Sequence, residues 1–173
     1  HSLYHCVDVK SLSDAMHVHD DIIQSEIRPC FLLYKALLNM YYSLGGGVKD
    51  VYFIFLSMPT HDVQCYNIMM SCNFKHGHKK EALRLFNEIV CKHMHHSNAT
   101  FVILLKACSS LGAINKGEDV CAEIFQAGLL ERDLDVGNAL LDMYAKCGWP
   151  SKAVEVFDKL IQRDIVSWTT LVT

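Results

Sequence analysis

Apolar residues recur along the chain at the three- and four-residue spacing that places them on one face of a helix. The clearest example is the stretch from Glu81 to Phe86, which continues through Ile89 and Val90 and predicts an amphipathic helix. These helical patterns come in pairs, and a glycine or a small polar turn separates the two members of a pair. The pattern therefore predicts about ten helices in antiparallel pairs and no β-sheet.

The paired helices belong to a sequence repeat. The stretch NALLDMYAKCG, from Asn138 to Gly148, resembles the stretch KALLNMY, which begins 103 residues earlier at Lys35. Asp164-Ile165 resembles Asp62-Val63 at nearly the same offset, so the sequence repeats with a long period of about a hundred residues. Self-similarity at a fixed period is the signature of a solenoid, in which each helix pair buries its apolar face only against its neighbours. The chain is therefore expected to form one continuous solenoid.

The long period subdivides into shorter units, which begin at Phe31, Val63, Asn98, Leu134 and Ile165. The predicted units are a partial long repeat over 1–30, a short repeat over 31–62, a standard repeat over 63–97, a long repeat over 98–133, a short repeat over 134–164 and the start of a further repeat over 165–173. Both ends of the chain fall within units, and neither an initiator methionine nor a targeting segment is present. We therefore expect the chain to be a piece of a longer protein.

Three groups of residues are predicted to pack between helices. The first unit presents one apolar face, formed by Ala15, Val18, Ile22 and Ile23. The second helix of unit 134–164 presents another, formed by Ala153, Val154, Val156, Phe157 and Leu160. Small residues that allow close helix packing are expected at Ala36, Ala82, Ala139 and Ala153. Pro29 is expected to end the first helix, because proline disfavours helical backbone at the residue before it.

Composition adds constraints on the chemistry. Of the 173 residues, 51% are apolar, and the formal net charge is −3. This balance is unlike that of a protein that binds nucleic acid mainly by neutralising phosphates, so such binding would need a local basic stripe, base stacking and contacts to base edges. No apolar segment reaches the length of a membrane span, and no membrane association is expected.

The histidines and cysteines do not form a metal-binding pattern. The eight cysteines are scattered without a C-x-x-C pair, which favours free thiols in a reducing compartment over a zinc site. The clusters His76-Gly77-His78 and His93-Met94-His95-His96 lack a carboxylate or thiolate at a ligand spacing. Neither a metal nor a cofactor is therefore expected.

Several motifs together resemble a known family. The stretch from Asn138 to Gly148, the stretch QRDIVSW from Gln162 to Trp168 and the stretch LLKAC from Leu104 to Cys108 resemble plant pentatricopeptide repeats (PPR). The rotation of short, standard and long units resembles the PLS subclass. The resemblance covers essentially the whole chain, and it implies a right-handed α-α superhelix that binds single-stranded RNA in a sequence-specific manner.

The resemblance also implies which residues contact RNA. In this family one base is recognised per repeat by two side chains, one inside the first helix and one at the residue that closes the repeat, which suits a single strand with unstacked bases. The matching residues are Asn138 with Asp164, Asn67 with Ser97, Lys35 with Asp62, and Thr169 alone. The first pair resembles a uracil-preferring pair and the second a cytosine-preferring pair, whereas Thr169 resembles a purine-recognising residue.

Other positions depart from the family pattern. Lys35 with Asp62 is not a usual pair, and these two opposite charges are expected to neutralise each other. In the long repeat, Val102 has no hydrogen-bonding side chain, so no base recognition is expected there. The family also has an apolar residue that packs against the base, and Leu32 and Val166 match that position. Gln64 and Asp135 do not match that role, and the carboxylate of Asp135 would repel phosphate.

The resemblance implies a factor for editing or processing of organellar RNA, foremost C-to-U editing, in a mitochondrion or chloroplast. Its expected partners are single-stranded organellar RNA and editing-complex proteins. A deaminase needs an H-x-E motif and a C-x-x-C pair, and neither occurs here, so the chain is not expected to be an enzyme and any catalytic domain would lie beyond Thr173. The alternative function is a protein-binding helical repeat scaffold without RNA recognition. Closing aspartates at Asp62, Asp133 and Asp164 favour the first interpretation.

Overall fold

A computed structural model describes residues 11–24 and 30–172, and every regular element in these ranges is an α-helix. The helices are α1 (Leu12–Gln24), α2 (Phe31–Ser43), α3 (Val48–Ser57), α4 (Val63–Lys75), α5 (Lys79–Cys91), α6 (Asn98–Leu111), α7 (Ile114–Gln126), α8 (Leu134–Lys146), α9 (Pro150–Lys159) and α10 (Ile165–Val172). Within the described ranges, the predicted all-α fold with about ten helices is confirmed. The predicted end of the first helix at Pro29 lies outside the described residues.

The helices form two rows. The first helix of each pair, here called the A helix, packs against the A helices before and after it, in the order α2, α4, α6, α8, α10. The second helices, here called B helices (α3, α5, α7 and α9), each pack against the A helix of their own pair and against the next one. This arrangement makes the chain a helical-repeat superhelix, in which each pair is buried only by its neighbours.

Side-chain caps determine where four of the five A helices begin, whereas α2 follows Cys30, whose side chain forms no cap. Asp62, Ser97 and Asp133 are the N-cap residues of α4, α6 and α8, and each side chain accepts a hydrogen bond from the backbone N–H three residues later. Asp164 does the same for α10, since its Oδ1 accepts from the Ser167 N–H over 2.9 Å. Such a cap satisfies one of the backbone donors that a helix leaves unpaired at its start. The A helices consequently begin at the residues that also begin the predicted repeat units.

At two connections from a B helix to the next A helix, the residue before the N-cap contacts the end of the B helix. His61 Nε2 lies 2.7 Å from the carbonyl oxygen of Phe55, and its ring centroid lies 4.0 Å from that of Phe55. Arg163 repeats the arrangement: its Nε donates to the carbonyl oxygen of Phe157 over 3.0 Å, and its guanidinium lies 4.6 Å from the Phe157 ring. A stacked cation or imidazole that also holds a helix C-terminal carbonyl restricts the angle between successive pairs.

The helices pack closely at two glycines, where any larger residue would displace a neighbouring side chain. A Cβ added to Gly137 would lie 2.4 Å from Leu160 Cδ2, and one added to Gly117 would lie 2.8 Å from Met143 Cε. Both glycines lie inside helices, where glycine is otherwise unfavourable. Their presence in α7 and α8 is therefore explained by the close approach of the neighbouring side chains.

The prediction that residues pack between helices is wrong at two positions, Val154 and Ala36. Val154 is 48% exposed, whereas Ala153, Val156, Phe157 and Leu160 are buried. The core covers only one side of α9, and Val154 lies one turn from the exposed Asp158 on the other side. Ala36 is also exposed, one turn after the exposed Leu32. Ala15 and Ile22 are buried as expected, while the side chain of Ile23 lies outside the described part of the chain.

Leu38 and Leu32 lie on the same helix, and they provide a matched test of this packing. Leu38 is 0% exposed and Leu32 is 72% exposed. We expect Leu38→Ala to lower the free energy of unfolding by about 2–5 kcal/mol, because it leaves a cavity between α2 and its neighbours. Leu32→Ala should change it by about 0.5 kcal/mol or less. Urea unfolding followed by circular dichroism measures both, and equal effects of the two changes would contradict the packing described here.

Candidate nucleic-acid interface

A groove of about 790 Å³ follows one face of the A helices. Its walls come mainly from α6, α8 and α10, with the end of α4 at one side. Three of the predicted RNA-contacting residues line it, namely Asn138, Asp164 and Val166, and so does Val102. We call this surface the A-helix groove.

Asn138 connects two successive repeats at this groove. Its Nδ2 donates to Asp164 Oδ1 over 3.1 Å, and its Oδ1 accepts from Ser167 Oγ over 2.6 Å. Ser167 is 0% exposed, whereas Asn138 is only half-buried. An amide group offers two N–H donors and two acceptor lone pairs, so one donor and one lone pair of Asn138 are not used by these two bonds. The amide is thus held in a fixed orientation and keeps capacity for a further partner.

Asn67 has the same arrangement two repeats earlier in the chain. Its Nδ2 donates to Ser97 Oγ over 2.9 Å, and its Oδ1 accepts from Thr100 Oγ1 over 2.9 Å. In both repeats the asparagine therefore joins the closing residue to a hydroxyl three residues after it. Asn67 is 9% exposed, so its amide is less accessible than that of Asn138.

Lys35 and Asp62 occupy the corresponding positions of the first short repeat and form an ion pair. Lys35 Nζ lies 2.5 Å from Asp62 Oδ2, and Asp62 Oδ1 accepts from the Cys65 N–H over 2.9 Å. Burial raises the pKa of Asp62, but the hydrogen bonds from Lys35 and Cys65 outweigh it, and the net pKa is below the ordinary value. The residue three positions after Asp62 is Cys65, so this repeat lacks the hydroxyl that Thr100 and Ser167 supply in the repeats of Asn67 and Asn138.

The remaining predicted site residues differ in their surroundings. Thr169 is exposed, and its Oγ1 donates to the backbone oxygen of Ile165 over 2.9 Å. Leu32 and Val166 each occupy the second position of an A helix and are exposed, as an apolar residue that contacts a ligand must be. Gln64 and Asp135, at the same position of other A helices, are exposed as well.

The long repeat has a different arrangement at its closing residue. Asp133 Oδ2 accepts from Asn98 Nδ2 over 2.6 Å, while Asp133 Oδ1 caps α8 at the Val136 N–H over 3.0 Å. Val102 occupies the position that holds asparagine in the neighbouring repeats, and its side chain cannot donate or accept. The closing carboxylate of this repeat is therefore bonded to the start of its own A helix instead.

The charge of the groove is mainly negative. Four carboxylates line it, from Asp133, Asp135, Asp142 and Asp164, against the two lysines Lys106 and Lys146. Asp142 is compensated, because its carboxylate lies 2.8 Å from Lys146 Nζ and accepts from Ser109 Oγ over 3.1 Å. A polyanion is therefore attracted to this groove only where a lysine ammonium faces it.

Two side chains at this surface were not found from the sequence. The hydroxyls of Thr100 and Ser167 hold the amides of Asn67 and Asn138, and neither was predicted to have a role. The available signal was the serine or threonine three residues after Ser97 and Asp164, a position typical of side chains that complete a helix cap. Among the described residues, no group of three or more histidine, cysteine, aspartate or glutamate side chains is placed to hold a metal ion.

Comparisons with known sequences identify repeats of one kind. Residues 61–110 match the model of the PPR repeat family, and residues 138–165 match the model of the PPR repeat. A pentatricopeptide repeat-containing protein of Arabidopsis thaliana is 33% identical over 155 residues, covering 90% of this chain and 26% of that protein. The chloroplastic pentatricopeptide repeat-containing protein CRR2 of the same plant is 31% identical, covering 95% and 25%. The chain thus spans about a quarter of the length of these relatives.

Solved structures share the fold. The pentatricopeptide repeat protein PPR10 from maize superposes with a TM-score of 0.62 at 23% identity, covering 91% of this chain and 22% of that one. PPR10 in complex with an 18-nt psaJ RNA element superposes with a TM-score of 0.53 at 19% identity, covering 92% and 29%. The arrangement of helix pairs is therefore that of a known helical-repeat superhelix.

Asp164 provides a pH test of the site geometry. The Ser167 backbone N–H, and then the side chains of Ser167 and Asn138, hold the pKa of Asp164 below its ordinary value of 3.8. A lowered folded-state pKa stabilises the fold above the unfolded value, and this contribution is lost as the pH falls through the folded value. We expect Asp164→Asn to lower the free energy of unfolding at about pH 6, and to do so progressively less below pH 3.8.

Asp135→Asn is the matched control for this measurement. Asp135 lies in the same groove, and in the described part of the chain its carboxylate accepts no hydrogen bond. Urea unfolding at several pH values should therefore show a smaller pH-dependent difference from the wild type for Asp135→Asn. A loss of stability in Asp164→Asn that is the same at all pH values would contradict the assigned hydrogen bonds.

Proposed function

We propose, from the pentatricopeptide repeats that this chain carries, that it binds single-stranded RNA along the A-helix groove. The observation that carries the proposal is the repeated arrangement at Asn67 and Asn138. In two repeats an asparagine is held by the closing residue and by a hydroxyl of the next repeat. Asn138, whose amide is the more exposed, faces the groove. An ordinary helix start requires the cap but not the asparagine.

The chemistry of Asn138 suits the edge of a pyrimidine. Its remaining N–H donates to a carbonyl oxygen of the base, and its remaining lone pair accepts from a base N–H or amino group. Because the amide is already held by Asp164 and Ser167, its orientation does not have to be fixed when RNA binds. Such preorganisation reduces the entropy lost on binding.

The closing residue supplies the difference between the two repeats. Asp164 carries a carboxylate with a lowered pKa, which only accepts hydrogen bonds and so favours the N3–H of uracil, directly or through water. Ser97 carries a hydroxyl, which also donates and therefore suits the N3 acceptor of cytosine. We infer a uracil preference for the repeat of Asn138 and a cytosine preference for the repeat of Asn67.

The other repeats contribute less specificity in this proposal. The ammonium of Lys35 is engaged by Asp62, which limits its contact with a base. Thr169 contributes one hydroxyl, and we infer that it contacts a purine. Leu32 and Val166 are exposed apolar side chains, which we assign to packing against the faces of bases.

The biological role that we propose is editing or processing of organellar RNA, with C-to-U editing foremost, by a protein of the PLS subclass. The printed names of relatives such as CRR2 place those proteins in the chloroplast, which supports a location in a chloroplast or mitochondrion for this one. PPR10 has been captured with an RNA element, which supports RNA as the ligand class. Editing-complex proteins are further proposed partners, and the catalytic step is assigned to a domain or protein outside these residues.

One observation favours the alternative, a protein-binding scaffold. The acidic lining of the groove, with Asp133, Asp135 and Asp164, suits a basic peptide better than it suits a phosphate chain. One measurement distinguishes RNA binding from peptide binding. Competition between a lysine-rich peptide and single-stranded RNA, each labelled in turn, shows which of the two binds with the higher affinity.

Asn138→Ala tests the base contact. Removing the amide should weaken binding by about 1–3 kcal/mol for RNAs with the preferred nucleotide at one position, and reduce discrimination at that position only. Asn73→Ala is the matched control, since Asn73 is buried and its amide donates to the Met69 carbonyl within α4. Binding is measured by titration against RNAs that differ at a single nucleotide. Equal weakening for all RNAs by Asn138→Ala would show that the residue is structural.

Exchange of the closing residues provides a second test. Asp164→Ser should shift the preference at its position from uracil toward cytosine, and Ser97→Asp should shift the other position in the opposite direction, each by about 1 kcal/mol, the net value of one hydrogen bond. Both replacements keep an oxygen that can cap the following helix. A loss of affinity without a change in base preference, in both variants, would refute the proposed role of the closing residues.

A further inference from the structure

Lys106 lies in the A-helix groove at the long repeat, where no base-recognising side chain is present. It is exposed on α6, one helical turn after Val102, and residues four apart share a helix face. Phe74, Val102 and Ile103 line the groove with it. The long repeat therefore presents apolar side chains and one ammonium group to the groove.

None of the neighbouring carboxylates in the described part of the chain forms an ion pair with this lysine. Of the two lysines that line the groove, Lys146 is paired with Asp142. Asp133 is bonded to Asn98 and caps α8, and Asp164 is bonded to Asn138 and caps α10. Within the described part of the chain, Lys106 forms no ion pair. It is therefore the groove lysine whose charge is left for an external anion.

We propose that Lys106 binds a phosphate of the RNA backbone, so that the long repeat positions the strand without recognising its base. This inference rests on the proposed RNA binding and adds a specific contact to it. A lysine ammonium is a compact point charge with three donors, which suits phosphate oxygens and carries no information about the base. The otherwise acidic lining makes Lys106 the point at which the backbone approaches this part of the groove most favourably.

The test compares two variants that remove one positive charge each. Lys106→Gln removes it inside the groove, and Lys80→Gln removes it from an exposed position near the start of the B helix α5. Binding to single-stranded RNA is titrated at several salt concentrations. One phosphate contact contributes about 0.7 to the slope of log affinity against log salt for single strands. Lys106→Gln should lower the slope by about that amount, while Lys80→Gln should leave it close to the wild-type value.

Two further measurements separate a phosphate contact from other roles. Lys106→Gln should lower affinity by a similar factor for all RNA sequences. Because its salt slope is smaller, the variant should lose roughly 2.5-fold less affinity than the wild type when the salt is raised from about 50 to about 200 mM. Lys106→Arg, which keeps the charge, should restore the slope. Circular dichroism checks that the helices are retained.

The outcomes are distinguishable. An unchanged slope in Lys106→Gln, or an equal decrease in both variants, overturns the phosphate contact and leaves RNA binding intact. Weakening that is confined to RNAs with one particular nucleotide overturns it as well, because Lys106 would then contact a base. Failure of the wild-type protein to bind RNA at any salt concentration overturns the proposed function itself, and this contact with it.

Discussion

The capped start of the A helices α4, α6, α8 and α10 is the constraint on which the rest of the structure depends. A helix leaves its first backbone N–H groups unpaired, and the chain satisfies one of them with the side chain that closes the previous repeat, at Asp62, Ser97, Asp133 and Asp164. The cap fixes where each helix begins, and therefore which of its residues lie between the A helices. A solenoid in which each helix pair packs only against its neighbours depends on such local devices at most of its boundaries.

The cap and the candidate recognition site are one structure. Asp164 and Ser97 each cap the helix that follows through one contact, and hold the asparagine of the repeat that they close through another. In the proposed function, a change at a closing residue consequently affects both stability and base preference. The asparagine amide bridges two repeats, so ordering of the site accompanies packing of the helices. Rigid helices that carry a site hold it more precisely than loops do.

Charge restricts how a nucleic acid can approach. The carboxylates that cap the helices also line the groove, so the feature that stabilises the A helices opposes a phosphate chain. In the proposed function, affinity must then come from base contacts, stacking on exposed apolar residues and the few lysines that are not engaged. Lys146 and Lys35 are each paired with a carboxylate, whereas Lys106 forms no ion pair with any residue that the structure describes. The net charge of the chain therefore says little about the charge that the A-helix groove presents to a ligand.

The sequence by itself determined the helices, their order and the residues at which the A helices begin, because helical periodicity and capping residues are local signals. The pairing of Asn138 with Asp164 came from the resemblance to pentatricopeptide repeats, and the two side chains are hydrogen-bonded in the structure. Tertiary structure alone decided that Val154 and Ala36 are exposed, that the Ser167 hydroxyl holds the Asn138 amide, and that Lys106 forms no ion pair within the described ranges. The physical reason is that periodicity defines a helix face, while the neighbour that meets this face is set by the angle and distance between helices.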